Sequence, residues 1–272
     1  MNTYFINLAQ ASERRQALEE NFRRMAPVSA QLTRIDAVDS QFVQARGLRG
    51  KIRANEIACL LSHRKAIAAS LEEAGHALIV EDDALFGPST FARLPELPEL
   101  RDDTTDLVFL SAMLGPLSSY VGAIFLRRAL MKAGKIVTHD LARIPFSGAD
   151  AYIVKRQGKE KLLHLIDQVT TYDVHYDLLL RHWVQSGALR AVLAFPFLTM
   201  LSPAADLSTN ANTDETTSGY LAFRRLLALD AEHYPGDIMA AIDRIDGSFY
   251  PKEASDFAKA VRCLLSSRFV FG

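Results

Sequence analysis

HALIVEDDALF, residues 76–86, runs apolar through Ala77, Leu78, Ile79 and Val80 and then sets Glu81, Asp82 and Asp83 side by side. A short apolar run bounded by polar residues predicts a buried strand. Ligands of parallel α/β sheets gather beyond the carboxyl ends of the strands, which is where these three carboxylates fall. On an extended segment successive side chains alternate, so Glu81 and Asp83 are expected to face one site and Asp82 the other. Like charges held so close repel, and a hard divalent cation relieves them, Mg²⁺ or Mn²⁺ suiting oxygen ligands. An isolated Glu-Asp-Asp also fits a solvated acidic turn or a cluster at a helix start. The surrounding sequence has to decide.

Working outward, residues 55–75 predict a helix with Asn55 as N-cap and Gly75 as its stop. TYFINL (3–8) and QLTRIDAV (31–38) predict strands, with a helix between them carrying Ala17, Leu18, Phe22 and Met25 at helical spacing. DLVFLSAM (106–113), YVGAIFL (121–126 with Tyr120), DAYIV (150–154) and ALRAVLAF (188–195) predict further strands. GKEKLLHLIDQV (158–169) and YDLLLRHWVQSG (176–187) predict helices. The alternation gives an α/β class with a mostly parallel central sheet over 1–212. Helical spacing after 213 predicts a helical C-terminal extension over 213–272.

The whole chain bounds the function. Thirty-one basic against thirty-two acidic residues give a net charge of −1 across 272 residues, which excludes nucleic-acid binding by bulk positive charge. Cys59 and Cys263 are the two cysteines and neither has zinc-finger spacing. With no apolar run of membrane-spanning length and no signal-like N-terminus, the expected location is the cytoplasm. The helix with Phe257, Val261, Leu264 and Leu265 opposed by Lys259, Arg262 and Arg268 allows peripheral contact at the inner face of the cytoplasmic membrane.

Taken together, FINL, the polar helix start with Arg14 and Arg15, NEIACLLSHRKAI and ALIVEDDA resemble the family 25 glycosyltransferases. These include lipopolysaccharide and lipooligosaccharide β-galactosyltransferases and the collagen galactosyltransferases. Cys59, Ser62 and His63 match the family's Cys and Ser-His. Gly148, Ala149, Asp150, Ala151 and Tyr152 approximate its Gly-Thr-x-Ala-Tyr, and Asp177 ahead of Pro196 matches its late aspartate. The family's glycine-glutamate-x-glycine lead-in to the Cys is only partly kept as Ala54, Asn55, Glu56 and Ala58, and the chain departs from the pattern at Ala149 in place of threonine and at Tyr176 in place of proline.

The resemblance implies a GT-A (Rossmann-like) fold and a metal-dependent inverting transfer of a hexose, galactose first, from a UDP-sugar. The implied acceptor is a glycan or lipid-linked oligosaccharide such as lipopolysaccharide core. Asp83 is the implied first metal ligand, with Glu81 or Asp82 sharing the metal or binding the donor. Ser208 or Asn210 offers a further ligand. Asn7, Leu8, Arg15 and His63 fall on the donor side. The base is Asp177 or Asp150, with Asp173 behind them, because one-step displacement needs a carboxylate to take the acceptor's proton. Each residue has a simpler reading: Asp177 as a first-turn helix residue, Asp150 as part of a turn, His63 and Trp183 as packing, Cys59 as a small buried apolar group. RGLRGKIR (46–53) sets four cations and two glycines where they can wrap an anion or form an exposed loop. Two other classes remain open, a metal-dependent phosphoester hydrolase and a non-catalytic nucleotide- or glycan-binding protein that keeps the fold.

Overall fold

Apolar runs of four or five residues must bury both faces, and a computed structural model shows how this chain does so. The structure describes residues 1–115, 118–207, 215–238 and 240. In chain order the elements are β1 (Asn2–Asn7), α1 (Ser12–Met25), β2 (Leu32–Asp36), α2 (Ser40–Ala45), α3 (Ala54–Ser70), β3 (Ala77–Glu81), β4 (Ala84–Phe86) and α4 (Thr90–Arg93). There follow β5 (Leu107–Phe109), β6 (Met113–Leu114), α5 (Ser118–Ala133), β7 (Val137–Asp140), β8 (Phe146–Ser147), β9 (Ala151–Val154), α6 (Arg156–Asp167), α7 (Tyr176–Gln185), β10 (Ala191–Phe195), β11 (Thr199–Leu201) and α8 (Glu215–Leu226).

Seven strands form the central sheet in the order β2-β1-β3-β9-β5-β10-β7. β1 pairs in parallel with β2 and β3, and β10 with β5. β9 is antiparallel to both β3 and β5, and β7 to β10. Five strands therefore run one way, and the sheet is mostly parallel. Along β3, Ala77 and Ile79 enter one hydrophobic cluster while Leu78 and Val80 enter another, so ALIV is apolar throughout because helices cover both faces.

The antiparallel β9 matters for the site. Running against β3, it brings its own start beside the end of β3, where the Glu81 amide donates to the Asp150 carbonyl at 2.8 Å. Two ribbons, β4 with β11 and β6 with β8, flank the sheet.

Two local expectations are corrected. Tyr120 and the residues after it form α5, not a strand, because the segment continues through RRALMKA and buries Tyr120, Ile124, Arg127 and Leu130 at helical spacing. The N-cap of α3 is Arg53, not Asn55: the Arg53 amide donates to Glu56 Oε2 at 2.7 Å, which closes the first turn one residue before Ala54. The division at 212 and 213 stands as a proposal. Phe223, Leu226 and Leu227 at the end of α8 join the main core cluster, while 241–272, including the amphipathic stretch at 257–268, lie outside the described residues.

Gly158 lets α6 lie against the entry to β5, since a Cβ there would sit 2.6 Å from the Asp106 carbonyl oxygen. Gly158→Ala is expected to lower stability by about 1–3 kcal/mol, the usual cost of overpacking. Urea unfolding should show a lower midpoint with an unchanged slope.

Candidate active site

Glu81 ends β3, and Asp82 and Asp83 form a turn that leads directly into β4. A turn abolishes the alternation of an extended strand, so the expectation that Asp82 faces away is corrected. All three carboxylates line one cavity of about 500 Å³, together with Leu8, Arg14, Cys59 and His63. β1, β2 and α3 supply its other walls, including Ala37, Val38, Asp39 and Ser40 just past β2.

Each carboxylate meets a different environment. Asp82 Oδ2 accepts from Asn7 Nδ2 at 2.7 Å, and its Oδ1 lies 3.3 Å from Arg14 Nη1. Asn7 in turn accepts from Arg34 Nε at 3.0 Å, so the end of β1 is held from both sides. Burial raises the Asp82 carboxyl despite these partners. Glu81 Oε1 meets His63 Nε2 at 3.2 Å. Burial pushes Glu81 up, but the hydrogen bond and charge of His63 outweigh it and hold the carboxyl below its ordinary value.

Asp83 is left without such help. It is 9% exposed, and its buried Oδ1 has no hydrogen-bond partner. Its own carbonyl accepts from the Ser202 amide at 2.7 Å, which fixes the turn against the end of β11. Burial, then the nearby Glu81, Asp150 and Asp82, drive its carboxyl well above the ordinary range.

His63 also joins a hydroxyl chain. Its Nδ1 lies 3.0 Å from the Tyr152 hydroxyl, which lies 3.0 Å from the Tyr176 hydroxyl, and the His63 and Tyr176 rings stack with centroids 4.4 Å apart. Neither tyrosine is among the sequence-derived site residues. Tyr176, one of the departures from the family pattern, thus packs on a residue that matches it. Ser62 fastens α3 to the end of β2, accepting from the Val38 amide at 2.8 Å.

The two candidate bases differ sharply. Asp150 is 4% exposed: one oxygen pairs with Arg224 Nη2 and the other accepts from Ser111 Oγ at 2.8 Å. Asp177 is half-buried at the start of α7, and its carboxylate accepts from the Gly148 amide and the Leu178 amide, each at 2.9 Å. Gly148 has φ +87°, and a Cβ there would press on Arg224 at 3.1 Å, so glycine serves both the turn and the close approach. Neither aspartate lines the cavity itself.

Other expectations resolve by position. Arg15 turns away, bonded to Glu19 at 2.8 Å beside a separate hollow, and Arg14 takes the place on the cavity. Asp173 accepts from the Lys51 amide at 3.0 Å, tying the glycine-rich basic loop to the start of α7. Trp183 is buried in the main core. Ser208 and Asn210 lie outside the described residues. Asp39 and Ser40 escaped notice although the same rule finds them: they follow the parallel strand β2 as Asp82 and Asp83 follow β3.

The sequence pattern of glycosyltransferase family 25 (LPS biosynthesis protein) matches residues 1–180. The chain belongs to that family. No curated protein matches the chain. Family 25 membership makes it a glycosyltransferase of lipopolysaccharide biosynthesis, an enzyme that takes a sugar from a nucleotide-sugar donor and passes it to a glycan acceptor. The mostly parallel sheet with helices on both faces is the Rossmann-like glycosyltransferase architecture. Among the described residues no helix is long and apolar enough to cross a membrane.

The raised Asp83 carboxyl sets a pH dependence. A carboxyl whose folded value lies above its unfolded one costs nothing below the unfolded value, near ~4, and destabilises increasingly as pH climbs through the raised folded value. In chelator-treated protein, Asp83→Asn is therefore expected to raise the thermal midpoint at neutral pH, with the gain shrinking to nothing near ~pH 4. Melting curves across that range check it, and a lower midpoint at neutral pH would contradict the assigned cause.

Proposed function

We propose that this enzyme is a metal-dependent, inverting hexosyltransferase that moves galactose from UDP-galactose to a lipopolysaccharide-core type of acceptor at the inner face of the cytoplasmic membrane. The observation that carries the reading is the buried, unpartnered Oδ1 of Asp83 on the wall of a cavity of about 500 Å³ at the carboxyl ends of parallel strands. An oxygen atom desolvated without a donor is costly unless a cation completes it. Carboxylate oxygens suit Mn²⁺ or Mg²⁺, with Asp83 as first ligand and Glu81 as the second in reach of the cavity. Bound there, the cation would offset the negative charge that gathers on the departing UDP.

The chain's own residues do the rest. Asn7 and Arg14 hold Asp82 in place, which suits it to the donor's ribose or diphosphate more than to the metal. Leu8 and the end of β2 offer apolar and polar walls for the nucleoside. His63 orients Glu81. Asp177 is favoured as base over Asp150, because Asp150 is buried and paired with the Arg224 cation, whereas Asp177 is half-buried and meets only neutral backbone amides. The glycosyltransferase family sets aside the hydrolase and the non-catalytic readings.

Titrating UDP with and without Mn²⁺ against the native protein and Asp83→Ala tests the donor side. Metal-dependent UDP binding should appear in the native protein and be lost in the variant, and metal-dependent binding that survives would remove Asp83 from its role.

For the base, Asp177→Asn should lower kcat by about 10²–10⁴ while leaving UDP binding intact. Asp150→Asn should instead show a lower thermal midpoint, since it strands a buried guanidinium. A screen of UDP-sugars that scores UDP release together with a new glycoside checks the donor sugar, and a preference for another sugar would replace galactose.

A further inference from the structure

Within the same cavity the side chains sort by chemical softness. Asp82 and Asp83 offer only oxygen. Where α3 faces the end of β3, Cys59, His63 and Glu81 bring a sulfur, a ring nitrogen and a carboxylate oxygen to within 4.8 Å of one another. Cys59 and His63 are four residues apart on one helix, so one face of α3 presents both. We propose that Cys59 Sγ, His63 Nε2 and Glu81 form a site for a thiophilic divalent cation of the Zn²⁺ class, distinct in ligand chemistry from the hard cation assigned to Asp83.

Two features of the geometry support it. Glu81 Oε1 and His63 Nε2 stand 3.2 Å apart. Two ligands at zinc bond lengths in tetrahedral array are separated by roughly 3.3 Å, so the existing pair already has the spacing that the ion requires. The second feature is the support behind His63. Metal-bound imidazoles commonly donate their other N–H to an oxygen, which fixes the tautomer and the ring. Here Tyr152 and then Tyr176 receive it, both 2% exposed or less, with the Tyr176 ring stacked on the imidazole. Three protein ligands and an open cavity leave a fourth position for water or a phosphate oxygen.

Proton bookkeeping is simple. The Cys59 thiol, held protonated by burial and by the neighbouring carboxylates Glu81, Asp177 and Asp83, loses its proton to solvent as the sulfur binds the metal. His63 binds the metal through Nε2 with a proton on Nδ1 donated to the Tyr152 hydroxyl: a singly protonated imidazole releases no proton, and a doubly protonated one releases its Nε2 proton to solvent. Occupancy takes Glu81 from the hard cation and fills part of the cavity, so Zn²⁺ inhibits sugar transfer. Binding stands on these three side chains alone, whereas that inhibition rests on the donor reading above.

Co²⁺, which reports thiolate ligation by an intense near-ultraviolet band, is the probe for the full chain. The expected result is a band that saturates at one equivalent and is abolished by Zn²⁺. It should be absent in Cys59→Ser and in Cys59→Ala, both checked for native melting, and intact in Cys263→Ser. Tyr152→Phe, which removes the hydroxyl that links His63 to Tyr176 and leaves all three ligands in place, should weaken Co²⁺ about 10–100-fold. No band in folded protein, or one that persists without Cys59 or follows Cys263, overturns the site. Zinc-saturated protein that transfers sugar at the full rate overturns the inhibition and leaves the site standing.

Discussion

The structure turns on negative charge concentrated at the end of a buried strand. Glu81, Asp82 and Asp83 follow four residues that are fully buried, and Asp150 closes on them from β9. Charge there is costly unless paired. The fold answers with one element per carboxylate: α3 supplies His63 to Glu81, the β1–α1 junction supplies Asn7 and Arg14 to Asp82, and α8 supplies Arg224 to Asp150. Of these four carboxylates, Asp83 is the one with a fully buried oxygen that meets no partner among the described residues. That imbalance costs the protein stability, a common arrangement where function needs a strained group.

The buried pair of Arg224 and Asp150 has consequences for stability as well as position. Arg224 is 4% exposed, and its Nη2 also donates to Ser111 Oγ at 2.9 Å. Such a pair gains little over an apolar isostere, yet losing one member leaves the other charge buried and alone. It therefore fixes where α8 meets the sheet. Gly148 without a Cβ is what allows the guanidinium to pass.

Much of this was legible in residues 1–115. The ALIV run, the Cys59 and His63 spacing and the carboxyl-end rule locate the cavity because they rest on local pattern. Alternation failed at Asp82 because hydrogen bonding of the next segment to β11, about 115 residues later, bends the chain into a turn. YVGAIFL reads as a strand by its aromatic and β-branched members, and only the longer period through Leu130 reveals the helix. Tyr152 and Tyr176 were invisible as partners of His63, since no local signal joins residues on β9, α7 and α3. Arg15 and Arg14 are equivalent by composition, and the helix phase alone separates them.

The family match ends at residue 180, yet the cavity's chemistry is completed beyond it. Ser202 holds the Asp83 turn, and Arg224 occupies both the Asp150 carboxylate and the space over Gly148. Were Arg224 absent, Asp150 would be an unpaired buried carboxylate next to Glu81 and Asp83, and on the proposed reading it would compete with Asp177 for the role of base. By neutralising Asp150, the late part of the chain leaves Asp177 as the accessible carboxylate of the two. On the proposed reading, residues outside the family pattern thus favour one of two candidates inside it.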